Sequence, residues 1–484
     1  MEKVIFEKNN KAKYPSREYW FNPSIKYPEY VWGENEVASV RNDVYDMVRN
    51  CLCELGLDKE HFGTKDWNPM GDIVTVGNTV LIKPNMVVSS HPELDCIVTH
   101  PSILRAIIDY LCIAMGGTGR IIIGDAPMQR CVFKDVTKFV GYDALVDFYS
   151  KKGICIELVD FRNYVTDFSS DSVQIVRDST DYNFVCCDLT MDSMLCALDK
   201  RYKRYRVTNY DYRKMRNYHN KQHHKYLIRK EVLEADVIID IPKVKTHRKA
   251  GYTGALKNFV GTVVHKECLP HHVRGSVFTG GNEYLYPNLF KSLRTVCYEQ
   301  IDLANIYNRK SMIPLLNRAI KTLNRIISKC SLDSYSEGSW YGNDTIWRTF
   351  LDINRVIRYA DIDGIMHDTM QRKMLVFADM IVAGEKEGPV CASSKQCGLL
   401  VAGFNPAAVD YLLVKLMGFD YQKIPALRNI PSIKTYHLLE SEYDEIMVSS
   451  YSEDIEETNL NSITINERFI PTSGWINYIE LENV

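Results

Sequence analysis

From residue 79 onward, apolar runs typical of β-strands alternate with segments that have helical periodicity. The apolar runs are "TVLIKPN", "GRIIIGDAP" and "ICIELVDF", and the segments between them are "THPSILRAIIDYLCIAMGG" and "KDVTKFVGYDALVDFYSKKG". In the first helical segment, Ile103, Ile107 and Leu111 fall on one face. A strand–helix–strand order implies parallel strands joined by right-handed crossovers. The sequence therefore predicts an α/β fold with a mainly parallel sheet flanked by helices.

The rest of the chain divides around this pattern. Residues 1–70 are predicted to form an N-terminal extension with one helix, and residues 71–430 the α/β domain. In that domain "EADVIIDIP", "KMLVFADMIVAGE" and "CGLLVAGFN" are further predicted strands. A helical and basic insertion at about 164–230 and a helical segment at about 285–330 interrupt it. Residues 431–484 are predicted to form a β-rich C-terminal tail.

Composition and charge exclude several classes of protein. A formal net charge of -2 over 484 residues gives no general attraction to nucleic acid or to an anionic membrane. The N-terminus "MEKVIFEKNN" lacks the features of a signal peptide, and the most apolar long stretch, 399–419, is interrupted by Asn405, Asp410 and Lys415. The fourteen cysteines contain no repeated Cys-x-x-Cys pair and are typical of thiols in a reducing compartment. We therefore predict a cytoplasmic protein with no membrane span and no iron–sulfur cluster.

Polar side chains follow four of the predicted strands. In chain order these side chains are Lys83, Asn85, Asp125, Lys243, Lys245, Thr246, His247 and Glu385. Ligands of an open parallel sheet bind outside the carboxyl ends of its strands. We therefore expect these residues to meet in one cleft, the alternative being that they lie on independent surface loops.

The segment 241–261, "IPKVKTHRKAGYTGALKNFVG", concentrates positive charge where a buried strand ends. Its second half predicts a glycine-containing loop that leads into a helix, whose first N–H groups have no intrahelical partner and attract anions. Lys257 and Asn258 lie in this helix. The pattern favours a site for phosphate or carboxylate, the alternative being lysines that extend along a solvated face. The Gly-Lys-Ser/Thr ending of a P-loop is absent, so the segment does not indicate P-loop ATPase chemistry.

These residues predict a site in which cations bind an anionic substrate and other groups move protons. The predicted substrate-binding residues are Lys83, Asn85, Lys243, Lys245, Thr246, Lys257 and Asn258. The predicted catalytic residues are His247, as the proton carrier near neutral pH, and Asp125 and Glu385, as carboxylates for acid–base work or metal ligation. The reaction type does not follow from the sequence.

Two further segments carry chemistry-bearing residues. The stretch "HKECLPHHVRGSVFTGGNEY" brings His265, His271 and His272 close in sequence, as in a site for a divalent metal ion, although packing histidines are the commoner case. Residues 200–226 interleave Lys and Arg with Tyr and His. That composition is typical of a surface that binds single-stranded nucleic acid, of a flap over an anionic substrate, or of a solvent-exposed loop. Because the whole chain is nearly neutral, nucleic acid is the disfavoured alternative.

Eight ordered blocks carry a resemblance to a known family. The blocks are "LIKPN", "THPSILRAI", "IIIGDAP", "ADVIIDIPKVKTH", "GYTGALKNFVG", "HKECLPHH", "ADMIVAGEKEGPV" and "LLVAGFNPAAVD". Their order and spacing resemble the domain of unknown function 362 family, over roughly residues 75–425. Some members carry a ferredoxin-like iron–sulfur module, but this chain lacks its cysteine cluster and resembles the long form without it. The family also resembles the lactate racemase-type fold, where histidines and a lysine flank a nickel-pincer cofactor.

Three functional hypotheses follow. The leading one is a cytoplasmic enzyme that acts on a small phosphorylated or carboxylated substrate at the carboxyl edge of the sheet. The resemblance adds a metal- or nickel-pincer-dependent racemase or isomerase, or a redox enzyme with a redox or biosynthetic partner protein. The third is a non-catalytic protein that binds an anion or a nucleotide, in which lysines would lie at the site and carboxylates would face away from it.

Overall fold

The computed structural model describes residues 2–167, 174–175, 183–307, 309–464 and 467–482. Within these residues, the largest element is a β-sheet of eleven strands. The strands are β1 (Lys3–Lys8), β2 (Thr79–Pro84), β3 (Arg120–Asp125), β4 (Ile156–Asp160), β5 (Val237–Ile241), β6 (Lys243–His247), β7 (Gly251–Thr253), β8 (Lys373–Glu387), β9 (Cys391–Gly403), β10 (Met447–Ser450) and β11 (Ile455–Asn459). Their order across the sheet is β11-β10-β1-β9-β8-β5-β2-β3-β4, while β6 pairs with β8 and β7 pairs with β6.

Helices flank this sheet. The α-helices are α1 (Asp43–Glu54), α2 (Pro101–Met115), α3 (Phe133–Val140), α4 (Tyr142–Lys151), α5 (Lys230–Glu234), α6 (Ala255–Asn258), α7 (Leu289–Ile306), α8 (Ile313–Cys330), α9 (Ile346–Tyr359), α10 (Pro406–Leu416) and α11 (Pro425–Asn429). The helical segment predicted at about 285–330 corresponds to α7 and α8, which pack against each other.

The centre of the sheet is parallel, which confirms the predicted fold class. Strands β8, β5, β2, β3 and β4 lie side by side and run in one direction, with Val80 opposite both Val237 and Ile121. Helix α2 connects β2 to β3, and α3 and α4 connect β3 to β4, because parallel neighbours need a crossover connection. The carboxyl ends of these strands therefore lie at one edge of the sheet.

The central strands are buried on both faces. Val80 and Ile82 of β2 belong to one core, which also contains residues of α1 and α2, whereas Leu81 belongs to the core on the opposite face. Side chains of a strand alternate between the two faces of its sheet. Because helices or loops cover both faces, these strands have continuous apolar sequences rather than alternating ones.

The two ends of the chain also contribute strands to this sheet. Strand β1 comes from the predicted N-terminal extension and pairs antiparallel with β9 and parallel with β10. Strands β10 and β11 come from the predicted C-terminal tail. The buried apolar residues Val4, Ile5 and Phe6 explain the central position of β1. The division into extension, domain and tail stays a prediction.

The connection between β5 and β7 shapes the edge where the strands end. Pro242 interrupts the ladder after β5, and the chain continues as β6, which pairs with the later part of β8. Strand β7 then turns back on β6 and leads into the short helix α6. In the insertion predicted at about 164–230, Phe184–Asp188 pairs antiparallel with Lys225–Arg229. Residues 168–173 and 176–182 of that insertion lie outside the described residues.

Candidate functional site

A cleft of about 200 Å³ lies at the carboxyl edge of the parallel strands. Residues that follow β2 and β3, residues of β6, β7 and α6, and residues 207–210 of the basic insertion line it. Its charged and hydrogen-bonding side chains include Asn85, Asp125, Gln129, Arg130, Lys245, His247, Arg248, Lys249, Thr253, Lys257, Asn258, Lys266 and His271. Six of the predicted site residues therefore line one cavity: Asn85, Asp125, Lys245, His247, Lys257 and Asn258.

A buried ion pair forms part of the floor of this cleft. Lys83 Nζ lies 2.7 Å from Asp125 Oδ1, and Asp125 Oδ2 accepts a hydrogen bond from Met86 N at 2.7 Å. The backbone of Gly261 lies directly on this pair, because a Cβ atom there would be 1.9 Å from Asp125 Oδ1. Only glycine permits so close an approach. The charge of Asp125 is therefore already matched by Lys83 and does not compensate the other cations of the cleft.

Two asparagines hold the end of β2 against α6. Asn258 Nδ2 donates to Lys83 O at 3.0 Å and to Asp240 Oδ1 at 2.7 Å, while its Oδ1 accepts from Asn85 Nδ2 at 2.8 Å. Asn85 Oδ1 in turn accepts a hydrogen bond from Lys245 Nζ. Burial raises the pKa of Asp240 well above its usual range. Asn85 and Asn258 therefore position the lysines, and most of their amide hydrogen bonds are made to other protein atoms.

The lysines of the cleft have few anionic partners. Lys245 Nζ also donates to Ile97 O, Lys249 Nζ donates to Glu337 O, and Lys266 Nζ donates to Val260 O at 2.8 Å. These acceptors are all neutral backbone carbonyl oxygens. Lys257 makes no hydrogen bond or ion pair with any of the residues that the structure describes, although its side chain lines the cleft. The cleft thus presents amines whose charge the protein leaves largely uncompensated.

Burial shifts the pKa values of these amines. It lowers the pKa of Lys249 and of Lys257 to about 8, and that of Lys266 to about 7. For Lys245, burial and then the nearby charges of Lys243 and Lys257 hold the pKa well below its usual range. A bound anion would reverse these shifts, because a nearby opposite charge favours the charged form.

Two imidazoles in the cleft have defined proton positions. His247 Nδ1 accepts from Lys249 N at 3.1 Å and from Ala250 N at 3.2 Å, so its neutral ring carries the proton on Nε2. His271 Nδ1 donates to Leu269 O at 2.7 Å, which leaves its Nε2 without a proton. Burial and the charge of Lys257 lower the pKa of His247 well below its usual range, and burial lowers that of His271 to about 3. The cleft therefore contains one imidazole donor and one imidazole acceptor.

Comparison with known proteins identifies the family of this chain. The family described as "Domain of unknown function (DUF362)" matches residues 80–186 and 195–415. The chain belongs to this family. This confirms the resemblance found in the sequence, and the matched ranges contain every predicted site residue.

One curated relative is similar over part of its length. The thylakoid-associated protein sll1697 of Synechocystis sp. (strain ATCC 27184 / PCC 6803 / Kazusa) is 26% identical over 199 residues. The matched region is 41% of this chain and 43% of the relative, so the chain spans less than half of that protein. Among the described residues of this DUF362 chain, every helix is too short or too polar to cross a membrane.

Four predicted substrate-binding or catalytic residues do not line the cleft. Lys83 lies beneath it, paired with Asp125. Lys243 Nζ lies 2.6 Å from Asp379 Oδ2 and donates to Tyr14 OH at 2.6 Å, so its charge is compensated inside the protein. The other two are Thr246 and Glu385.

Thr246 and Glu385 both belong to the region around the β8–β9 hairpin. Thr246 Oγ1 donates to Lys386 O at 2.7 Å. Glu385 Oε2 accepts from Ile470 N at 3.1 Å and lies 3.6 Å from Lys395 Nζ. The sequence suggested that Glu385 follows a strand end, but β8 extends for 15 residues and continues past the sheet edge as a hairpin arm with β9. Glu385 therefore lies within a strand and faces the C-terminal segment.

The three histidines predicted as metal ligands are separated in the structure. His271 lines the cleft, whereas His265 lies 3.3 Å from Asn163 through its Nε2 and packs on Tyr164. His272 borders a separate cavity of about 30 Å³. Their proximity in sequence does not bring their ring nitrogens together, because His265 precedes a turn and His272 lies in a short strand. Metal binding by this set stays a prediction without a supporting geometry.

The cleft also contains polar residues that sequence reasoning did not assign to it, Arg130 and Arg248 among them. Lys249 and Thr253 lie in the basic segment after β6, Lys266 lies beside His265, and Gln129 follows β3. Thr253 Oγ1 and Gln129 Oε1 are buried and have no hydrogen-bond partner among the residues that the structure describes. A search that extended a few residues further along the loop after each predicted strand would have included several of them.

Proposed function

We propose that this chain is an enzyme that acts on a small molecule carrying a phosphate or carboxylate group, bound in the cleft at the carboxyl edge of the sheet. The observation that carries this proposal is Lys257, an amine that lines the cleft without any described partner in the protein. Lys257 is half-buried, and an ammonium group removed from water is costly unless it is paired. An anionic ligand supplies the partner that the protein omits.

The charge balance of the cleft supports an anion over a neutral or cationic ligand. Lys245, Lys249, Lys257 and Lys266 line it, while its carboxylate, Asp125, is already paired with Lys83. Charge-assisted hydrogen bonds from amines to phosphate or carboxylate are about twice as strong as neutral ones. The volume of about 200 Å³ corresponds to a small molecule, since each water occupies roughly 30 Å³.

The remaining polar atoms indicate what else the substrate carries. Gln129 Oε1 accepts hydrogen bonds only, and it is buried without a partner. Thr253 Oγ1, which can donate or accept, is also without a partner. An unpaired buried polar atom costs about 1–3 kcal/mol, so a ligand that offers hydroxyl or N–H groups beside its anionic group would be favoured. Hydroxylated phosphates and hydroxy acids have this chemistry.

Substrate binding would also prepare the proton-transfer groups. Burial and the charge of Lys257 lower the pKa of His247 and so keep its ring neutral. An anion bound between them would offset the charge of Lys257 and raise the pKa of His247 toward neutrality. His247 then acts as the proton carrier: its second proton enters on Nδ1, which gives up its hydrogen bonds from Lys249 N and Ala250 N, and the proton on Nε2 passes to the substrate. Asp125 keeps a positioning role through Lys83 and Met86 N.

Histidines and lysines such as His247, His271 and Lys245 line the cleft, but the other residues suggested for a metal or nickel-pincer cofactor do not join them. Lys243 is paired with Asp379 outside the lining, and His265 and His272 lie elsewhere. We therefore derive no step through such a group. We place the reaction in the cytoplasm, which is supported by fourteen cysteines that are all free thiols.

One observation favours a second candidate function, a non-catalytic protein that binds an anion or a nucleotide. Glu385 lies outside the cleft, and both oxygens of Asp125 are engaged by Lys83 and Met86 N. Among the described residues that line the cleft, an uncommitted carboxylate for acid–base work is therefore missing. In this alternative the lysines bind the ligand and no bond is changed.

A turnover screen separates the two functions. The full-length chain is incubated with a panel of hydroxylated phosphates and hydroxy acids, and substrate and product are followed by NMR. We expect consumption of at least one compound, with a loss of rate in His247→Gln and no change in Lys434→Met. Lys434 is an exposed lysine outside the cleft and serves as the matched control. Binding without consumption supports the binding protein, and neither binding nor consumption rejects both proposals.

A further inference from the structure

A second cluster of chemically reactive side chains lies in the basic insertion, outside the cleft. It consists of Cys196, Asp199 and His224, whose ligand atoms all lie within 4.8 Å of one another. Cys196 and Asp199 are three residues apart on the 3-10 helix Met194–Arg204, and His224 directly precedes the strand Lys225–Arg229. His224 is 1% exposed. Within the described residues this is the one group of three such side chains that could share an ion.

A chain of hydrogen bonds fixes the proton positions at His224. His219 Nε2 lies 2.7 Å from Cys268 O, and a carbonyl oxygen only accepts, so His219 carries its proton on Nε2. A second proton on His219 would place an unpaired charge on a ring that is fully buried. His219 Nδ1 is therefore an acceptor, and His224 Nδ1, at 3.3 Å, must donate to it. This leaves His224 Nε2 as a bare lone pair.

That lone pair faces a carboxylate. His224 Nε2 lies 3.1 Å from Asp199 Oδ1, and both atoms are buried without a well-formed hydrogen bond to any of the described residues. Neutral His224 carries its proton on Nδ1, so none is left on Nε2 to join the two atoms. Two acceptors at this distance repel each other unless a cation lies between them. The protein thus holds an imidazole nitrogen and a carboxylate oxygen together with no proton to link them.

We propose that Cys196 Sγ, Asp199 and His224 Nε2 bind a zinc ion. In tetrahedral zinc sites the nitrogen and oxygen ligands lie about 2.0–2.2 Å from the metal, which puts them roughly 3.3 Å apart. The distance of 3.1 Å between His224 Nε2 and Asp199 Oδ1 is close to this spacing. Binding releases the thiol proton of Cys196 to solvent, and the thiolate and the carboxylate then balance the charge of Zn²⁺. A water molecule completes the fourth position.

This site would organise one wall of the cleft. Residues 200–223 lie between the ligands on the 3-10 helix and His224, and residues 207–210 of this segment line the cleft. A metal that binds the folded loop but not the unfolded chain stabilises the folded state. The zinc ion would therefore stabilise the basic insertion and hold residues 207–210 in place.

Metal analysis and cobalt substitution of the full-length chain test the proposal. We expect about one equivalent of zinc per chain after purification, and in the cobalt(II) form a near-ultraviolet thiolate-to-cobalt absorption band. Zinc affinity, measured by competition with a chromophoric chelator, should fall roughly tenfold or more in Cys196→Ser and Asp199→Asn, because even outer-shell changes at metal sites cost about 10–100-fold. Cys186→Ser, at an exposed thiol elsewhere, should behave as the wild type.

The cobalt spectrum keeps the test decisive if a variant fails to fold. A wild-type chain that binds cobalt without the thiolate band, or that binds neither metal at stoichiometric level, overturns the proposal. Equal zinc affinity of the wild type and folded Cys196→Ser does the same. This test is independent of the anion cleft, because its metal and spectroscopic signals do not require a substrate.

Discussion

Lys83 Nζ lies 2.7 Å from Asp125 Oδ1, and both side chains are buried where β2 and β3 end. This pair joins the carboxyl ends of two neighbouring parallel strands and forms part of the floor of the cleft. Because Lys83 already compensates Asp125, the amines above it lack a carboxylate partner within the cleft lining described here. Because this pairing neutralises Asp125, the lysines give the cleft an excess of positive charge.

Replacing Asp125 with Asn should strongly destabilise the protein. The substitution leaves Lys83 as a buried charge without a partner, and breaking a buried ion pair from one side costs about 3–5 kcal/mol. Urea denaturation measures the change in the free energy of unfolding. The double variant Lys83→Met/Asp125→Asn removes the stranded charge and should recover most of the loss. Equal stability of the single and double variants would show that the charge is not the cause.

Sulfate binding should weaken as the pH rises from about 6.5 to 9. The sulfate charge is constant in this range, whereas burial lowers the pKa of Lys266 to about 7 and those of Lys249 and Lys257 to about 8. An anion raises these pKa values, so binding takes up protons. Calorimetry in buffers with different ionisation enthalpies measures that uptake. A pH-independent affinity without proton uptake contradicts the assignment.

Replacing Lys266 with Met should change how stability depends on pH. Burial lowers the pKa of Lys266 to about 7 in the folded state, while that of an unfolded lysine is about 10.4. The unfavourable burial of its charge is fully present below pH 7 and is relieved as the pH rises from about 7 toward 10. The free energy of unfolding of the variant minus that of the wild type should therefore decrease over this window.

The matched control for that series is Lys434→Met, at an exposed lysine. Its difference from the wild type should stay constant over the same pH range. Comparing variants in this way removes the contribution of the buried tyrosines and cysteines, whose raised pKa values are common to all chains. A Lys266→Met difference that is equally constant would mean that the Lys266 amine is not perturbed by burial.

The sequence predicted the part of the site that local strand patterns determine. The parallel order of β2, β3 and β5 follows from apolar runs and crossover helices, and it brings Asn85 and Asp125 to one edge. The same patterns could not exclude Glu385 from the site, because its position depends on how far β8 continues to pair with β9. Where a strand stops along its partner is a tertiary property.

Other features depend on contacts between distant segments. The ion-pair partner of Lys243 is Asp379, more than a hundred residues away in the sequence. The residues around Lys243 therefore do not indicate that its charge is compensated outside the cleft. The separation of His265 from His272 follows from the path of the loop and not from their spacing. Strand β1 has a clear apolar run, but its place between β9 and β10 depends on pairing with the far end of the chain.

Calorimetric titration with inorganic phosphate tests the central claim, that the cleft binds a small anion through Lys257, most directly. The full-length wild type is compared at pH 7 with Lys257→Met and with the control Lys434→Met. We expect phosphate to bind the wild type and Lys434→Met with equal affinity. Lys257→Met should bind roughly tenfold or more weakly, because a hydrogen bond to a charged group contributes about 1.5–3 kcal/mol. Equal affinity of all three chains, or no binding to the wild type, would contradict the account.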